Sequence, residues 1–290
     1  MIKIKSLIII IVLQLILISL PLYASQSTIV EAEGYSCMGS DKSKNQTELD
    51  ALTNAKRTAS EYAQSHIESE ILVKDMVFQK DLVSAYSAAV IKIINRLHSE
   101  WYKDASTGDC FKIRITAEVS PDNKKMQRLE SDKTYTDDPS LPLYVKVWTD
   151  KKEYRLTEPI KVYVKANKPF YGRVVYKDAQ GSFIQILPNP YRSENYFNGG
   201  AIYEIPSQGD QFELEISPPF GKESITVYAS TSELGKINKT SAGSVYIVNK
   251  EENVGIASRG IKIEAHNGST KKSSVAEFSE STASLITMNN

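Results

Sequence analysis

Apolar residues first form one long run, then alternate, then recur at helical spacing. Leu7 to Leu20 is nearly unbroken hydrophobic sequence, interrupted by Gln14 and Ser19 and ended by Pro21. Thr28 to Met38 alternates with the period of a strand. Val30, Ala32, Gly34, Ser36 and Met38 share one face, and Glu31, Glu33, Tyr35 and Cys37 share the other. Asn45 followed by Glu48 reads as a helix N-cap with a capping box. From there Leu52, Ala55, Ala59, Tyr62, Ala63 and Ile67 recur every three or four residues, predicting a helix to about Ile71 whose small-residue face can lie close on a sheet. Asp81 is expected to cap a second, short helix ending near Ala88. Val90 to Tyr102 is β-branched and aromatic, and Ser106 to Asp109 signals a turn. Phe111, Ile113, Ile115, Ala117 and Val119 then alternate strictly with Lys112, Arg114, Thr116 and Glu118, the clearest half-buried strand in the chain.

Asp122 to Pro142 is polar and carries Pro139 and Pro142, so it reads as a short helical tail and a linker. Beyond Leu143 short β-type segments alternate with Gly, Pro and Asn: 144–149, 160–166, 172–177, 183–187, 201–205, 212–216, 224–230 and 244–248. So many short strands without helical periodicity predict an immunoglobulin-like β-sandwich. Gly260 to Glu264 is a further strand candidate, and Val275 to Thr287 reads as a last strand or as disordered tail. The expected fold is α+β, a small antiparallel sheet carrying one long helix, followed by the sandwich. The expected division is 1–24 signal peptide, 25–121 α+β domain, 122–142 linker, 143–250 sandwich and 251–290 tail.

Lys3 and Lys5 before the apolar run, and the small Ala24 after Pro21, have the layout of a secretory signal peptide. A retained membrane anchor is the alternative, because the run is long enough to be ambiguous. The full chain has 35 basic and 35 acidic residues; removal of 1–24 leaves 33 against 35, a net charge of −2. That balance argues against a nucleic-acid partner and against stable membrane association after cleavage. The expected location is the periplasm, with outer-membrane association open.

The two cysteines, Cys37 and Cys110, read as one disulfide in an exported chain. If the first and last strands of the first half pair antiparallel with these residues opposed, Tyr35 faces Lys112, Glu33 faces Arg114 and Glu31 faces Thr116, an acid opposite a base at the centre. Cys37 as a thiol nucleophile would need a base such as His66 or His98. Ser36 sits in Gly34-Tyr-Ser-Cys-Met38-Gly39, which lacks the second glycine and the strand-to-helix turn of a nucleophile elbow. There is no HExxH and no phosphate-cradling glycine loop, and none of the three histidines has metal-ligand spacing with the cysteines. No catalytic residue, metal or cofactor is expected. The candidate binding loop is Asn189 to Asn198, with Tyr191, Arg192, Tyr196 and Phe197 as anchors for a protein or a sugar. The alternative is that Tyr191 and Phe197 fold inward and cap the sandwich.

Val30-Glu-Ala-Glu-Gly34, the Ala-rich helix and the closing strand Cys110–Val119 resemble the N-terminal domain of flagellar assembly protein T and related small outer-membrane lipoproteins of Gram-negative bacteria. The lipoprotein cysteine is absent here. Tyr154-Arg-Leu-Thr-Glu-Pro-Ile160, Gly181, Leu187-Pro-Asn189, Ile205-Pro206, Pro219-Phe-Gly221 and Ile225-Thr-Val-Tyr-Ala-Ser230 resemble the bacterial domain of unknown function 4384. The two resemblances imply an envelope-associated protein with no assigned catalytic residues. The functional expectation is a non-catalytic docking module with another envelope protein as partner. The alternatives are a glycan- or peptidoglycan-binding module using the Tyr191–Asn198 loop, and an enzyme of unrecognised type.

Overall fold

The computed structural model describes residues 25–71, 76–130, 137–260 and 275–289. The signal-peptide expectation for 1–24 and the strand expected at 260–264 fall outside these residues, apart from Gly260. Described helices and strands are mixed, and the sheet is almost wholly antiparallel.

In the first half, β1 (Ser25–Cys37), β3 (Gly108–Ser120) and β2 (Val90–Asp104) lie side by side in that order. Helix α1 (Lys44–Glu70) crosses one face. Its Ala51, Ala55, Ala59, Ala63 and Ile67 are buried against Val30, Ala32, Ile113, Ile115 and Ala117. The approach is close because both surfaces are small. A Cβ on Gly34 would meet Ala51 O and Ala55 N at 2.2 Å each, so this strand position accepts only glycine. The helix is capped by Ser43, whose hydroxyl accepts from Gln46 N at 3.2 Å, rather than by Asn45. Helix α2 (Met76–Ser87) runs through Asp81 rather than starting there.

The segment expected as a linker is packed. Within 122–142, helix α3 (Asn123–Glu130) buries Met126 and Leu129, and Leu141 joins the same core. The Asn167 amide donates to the carbonyls of Asp138, Leu141 and Pro142, and Gln26 donates to Leu143 O at 2.9 Å. Three apolar residues in 21 are too sparse to announce themselves as a pattern, but they sit where a core already exists.

The second half contributes β4 (Val145–Thr149), β5 (Glu153–Arg155), β6 (Val162–Ala166), β7 (Phe170–Lys177), β8 (Phe183–Leu187), β9 (Tyr196–Phe197), β10 (Ile202–Ile205), β11 (Lys222–Ser230), β12 (Lys239–Ala242) and β13 (Val245–Val248). A short helix α4 (Val254–Arg259) follows, and the last strand is β14 (Val275–Met288). The expected strand at 212–216 is reduced to a single bridge, Pro159 to Glu215.

One sheet spans both halves. Its order is β12-β13-β8-β7-β11-β14-β1-β3-β2, with β5 beside β14 and β9 beside β7. A second sheet, β10-β6-β4, packs over part of it and shares one core that includes Val145, Val164, Phe170, Ile225 and Leu285. The expected boundary at 122–142 therefore does not divide the sheet. β14 pairs with β11 over Phe278–Ile286 and with β1 over Val275–Glu280. It closes an edge of each half, which is why a strand of such mixed polarity is buried on both faces over Ala276–Ser279.

Candidate functional site

Cys37 and Cys110 form a disulfide, so neither is a thiol. The register places Cys37 opposite Cys110, Tyr35 opposite Lys112, Glu33 opposite Arg114 and Glu31 opposite Thr116. Arg114 Nε donates to Glu33 at 2.7 Å and Lys112 Nζ lies 3.0 Å away. The Arg114 hydrogen bond leads in holding the Glu33 carboxyl below its ordinary range. Ser36 lies inside β1, in extended pairing with Phe111.

His66 belongs to a buried polar junction that the sequence did not reveal. Glu277 on β14 is 3% exposed. His66 Nε2 on α1 lies 3.1 Å from its Oε1, Lys168 Nζ lies at 3.0 Å, and Leu143 N donates to Oε2 at 2.6 Å. Burial pushes this carboxyl up, but the His66 and Lys168 contacts outweigh it, and the net shift is downward. The junction ties the first-half helix, the chain after the linker, the turn between β6 and β7, and the last strand to one another.

On the opposite face Arg259 of α4 bonds to Glu118 on β3 and, at 3.1 Å, to Glu280 on β14, with its guanidinium 4.4 Å from the Phe278 ring. Ser27 of β1 donates to the same Glu118 at 2.8 Å. Arg173 of β7 donates to Ser258 Oγ at 2.7 Å and to Gly235 O at 2.8 Å. Burial lowers its pKa to about 10, still far above neutrality. These charged groups hold elements together across the sheet.

The Tyr191–Asn198 loop divides. Tyr191 and Tyr196 are 55% and 53% exposed, but Phe197 is 1% exposed. Phe197 stacks on Phe170 at 5.0 Å and meets the Tyr203 ring edge-on at 5.0 Å. Its inclusion among the binding anchors is corrected: Tyr196 and Phe197 are neighbours in β9, so they point to opposite faces. Gly172 leaves the room, since a Cβ there would sit 2.8 Å from the Phe197 ring. Arg192 is engaged by Asp210 at 3.1 Å. Tyr191 and Tyr196 are left as open aromatics, Tyr196 edge-on to Tyr171 at 5.1 Å.

Two of the open grooves among the described residues are lined by several large apolar side chains. One, of about 630 Å³, lies between α1 and β2, with Leu49, Leu52, Trp101 and Phe111 below and Glu48 and Arg96 at its sides. Trp101 Nε1 donates to Glu48 at 3.1 Å. β2 is the outer strand here, and its pairing slips at Ile93/Asn95 and Arg96/His98, which blunts the edge for a further strand.

The other groove, of about 470 Å³, lies along the flank of the second half between the 213–219 segment and strands β7, β8, β11 and β13. Tyr176, Ile184, Ile186, Ile225 and Val245 supply its apolar surface, and Asp178, Glu213 and Glu215 its acidic rim. The alternation Phe212-Glu-Leu-Glu-Ile216 is plain in the sequence; that its outer side borders a groove is not.

Residues 153–233 match the family model described as Domain of unknown function (DUF4384). The matched segment runs from β5 to just past β11 and includes one wall and much of the floor of the flank groove. β14, which completes the sheet beside β11, lies outside it. No curated protein and no solved structure matches the chain. Among the described residues no group of three or more His, Cys, Asp or Glu is placed to hold a metal. No described helix is long and apolar enough to cross a membrane.

Proposed function

We infer that this protein is an exported, non-catalytic docking module of the bacterial cell envelope, working in the periplasm. One observation carries the reading. The buried charged groups Glu277, Lys168, Glu118, Arg173 and Glu223 are each bonded to another structural element, while apolar side chains line two open grooves. Grooves of that kind suit a protein segment better than a reaction, which needs polar groups converging on a vacant position.

Export is supported by Lys3, Lys5 and the apolar run up to Ala24, and by the use of both cysteines in a disulfide. The resemblance of the first half to the flagellar assembly protein T domain, and an immunoglobulin-like description of the second, belong to the same proposal. The test is photo-crosslinking from surface positions of the exported chain in intact cells. Discrete crosslinked envelope proteins support docking. Crosslinks from no position, with turnover of a substrate by the purified protein, would replace the docking reading with an enzyme.

A glycan-binding reading draws on Tyr191 and Tyr196, whose open rings suit stacking on sugars. Retention on purified sacculi, lost when both tyrosines become alanine, would favour it over docking.

A further inference from the structure

We propose that the flank groove receives an extended peptide segment that alternates apolar and basic residues and adds as a strand along 213–217. This deepens the docking reading and rests on it. The backbone supplies the first observation. The 214–216 stretch uses one side to pair with 157–160: Ile160 N donates to Leu214 O, Ile216 N to Glu158 O and Thr157 N to Ile216 O. Among the described residues, no backbone bond uses the N–H or C=O of Glu213 or Glu215, which point the other way. An extended segment with one satisfied side and one free side is a template for a further strand.

The side chains specify what that strand would carry. Glu213 and Glu215 are exposed, whereas Leu214 is half-buried and Ile216 buried. A strand laid beside them would alternate in the same way. Its inward residues would meet Ile184, Ile186 and Val245. Its outward residues would lie next to Glu213 and Glu215, where opposite charge is favoured and like charge is not. Asp178 adds a third carboxylate to the rim, and among the described residues no lysine or arginine lines the groove. Lys177, the nearest base in sequence, lays its ammonium 5.5 Å over the Phe183 ring. The groove thus offers an apolar floor, a free backbone edge and acidic charge without a basic counterpart, which together select a cationic, apolar, extended partner.

The probe is an acetylated, amidated hexapeptide alternating lysine with valine, titrated into the mature, oxidised protein and followed by calorimetry and amide hydrogen exchange. The expected result is saturable binding with new protection at the Glu213 and Glu215 amides. Glu213→Gln with Glu215→Gln should weaken it by about fivefold, the scale expected for two exposed charge contacts. Both side chains are exposed, so the fold should survive, checked by circular dichroism. Glu213→Lys with Glu215→Lys should shift preference to a hexapeptide alternating glutamate with valine. Absence of binding, protection elsewhere, or equal binding of a peptide with its lysines and valines in separate blocks would overturn the proposal. The docking reading itself would fall only if crosslinking from every other surface also yielded no partner, so the two failures are distinguishable.

Discussion

His66 of the long first helix and Glu277 of the last strand, 211 residues apart, meet at 3.1 Å inside the protein. The contact joins the two ends of the folded chain at the point where its halves abut. Lys168 completes the site at 3.0 Å from the same carboxylate.

Replacing Glu277 with Gln leaves Lys168 buried beside a neutral group. Loss of one member of a buried pair costs about 3–5 kcal/mol, so Glu277→Gln should lower the unfolding free energy by about that much in urea titrations at pH 7. Because the folded pKa of Glu277 lies below its ordinary 4.5, the carboxylate's contribution is complete above that value and is lost as the pH falls through the folded one. Wild type should therefore lose stability between pH 5 and lower pH more steeply than Glu277→Gln; equal slopes would show that Glu277 is not an acid-sensitive tie.

Deleting the chain from Val275 onward should unfold both halves rather than trim the second. Without β14, β1 and β11 each lose a partner strand, Phe278 and Leu285 leave two of the apolar clusters, and the Glu277 ion pairs are lost. A two-dimensional amide spectrum of the truncated chain should lack dispersed resonances from residues 25–120. A spectrum in which those signals persist would make the first half an independent domain.

The disulfide closes a segment with a sequence separation of 73 residues that contains α1, α2 and β2. Chain-entropy arguments give about 4 kcal/mol for a loop of this size, as an upper figure. Reduction, or Cys37→Ser with Cys110→Ser, should lower the denaturation midpoint accordingly without changing the β1–β3 register, because Glu33, Arg114 and Lys112 also enforce it. Loss of the Glu33–Arg114 and Tyr35–Lys112 neighbourhoods in nuclear Overhauser data would contradict that.

Phe197 and Tyr196, adjacent in sequence, should behave oppositely. Phe197→Ala removes a ring buried between Phe170 and Tyr203 and should cost about 3–5 kcal/mol. Tyr196→Ala should stay within about 0.5 kcal/mol, as exposed substitutions do. Thermal unfolding of the two variants reads the difference directly.

Gly34→Ala tests the helix–sheet contact. Its added methyl would meet backbone atoms of Ala51 and Ala55, which cannot yield as a side-chain tip can. A loss of about 3 kcal/mol or failure to fold is expected.

Much of the local structure is legible in the sequence alone. Strict alternation over Phe111–Val119 marks a half-buried strand because side chains on a pleat alternate faces. The Ala51–Ala63 spacing marks a helix that can approach a sheet closely, and Gly34 is the matching concession on the sheet. The Cys37–Cys110 pairing is expected because two cysteines in an exported chain join, and opposing them sets the register in which Glu33 meets Arg114. Family resemblance placed the second half, and residues 153–233 match that family.

What the sequence could not decide was where surfaces end. The run 122–142 reads as a short helical tail and a linker because its apolar residues are few; Met126, Leu129 and Leu141 are buried because a core lies beneath them. The 275–288 segment looked ambiguous because glutamates and serines alternate with its apolar residues. Only the tertiary structure makes it an interior strand, by supplying His66, Lys168 and Arg259 from other elements to satisfy those polar groups. The same holds for the flank groove: the alternation of Phe212–Ile216 is local information, but a free backbone edge exists only relative to the strand that is absent beside it. Periodicity is a property of neighbours in the chain, whereas burial, pairing and openness depend on what arrives from elsewhere.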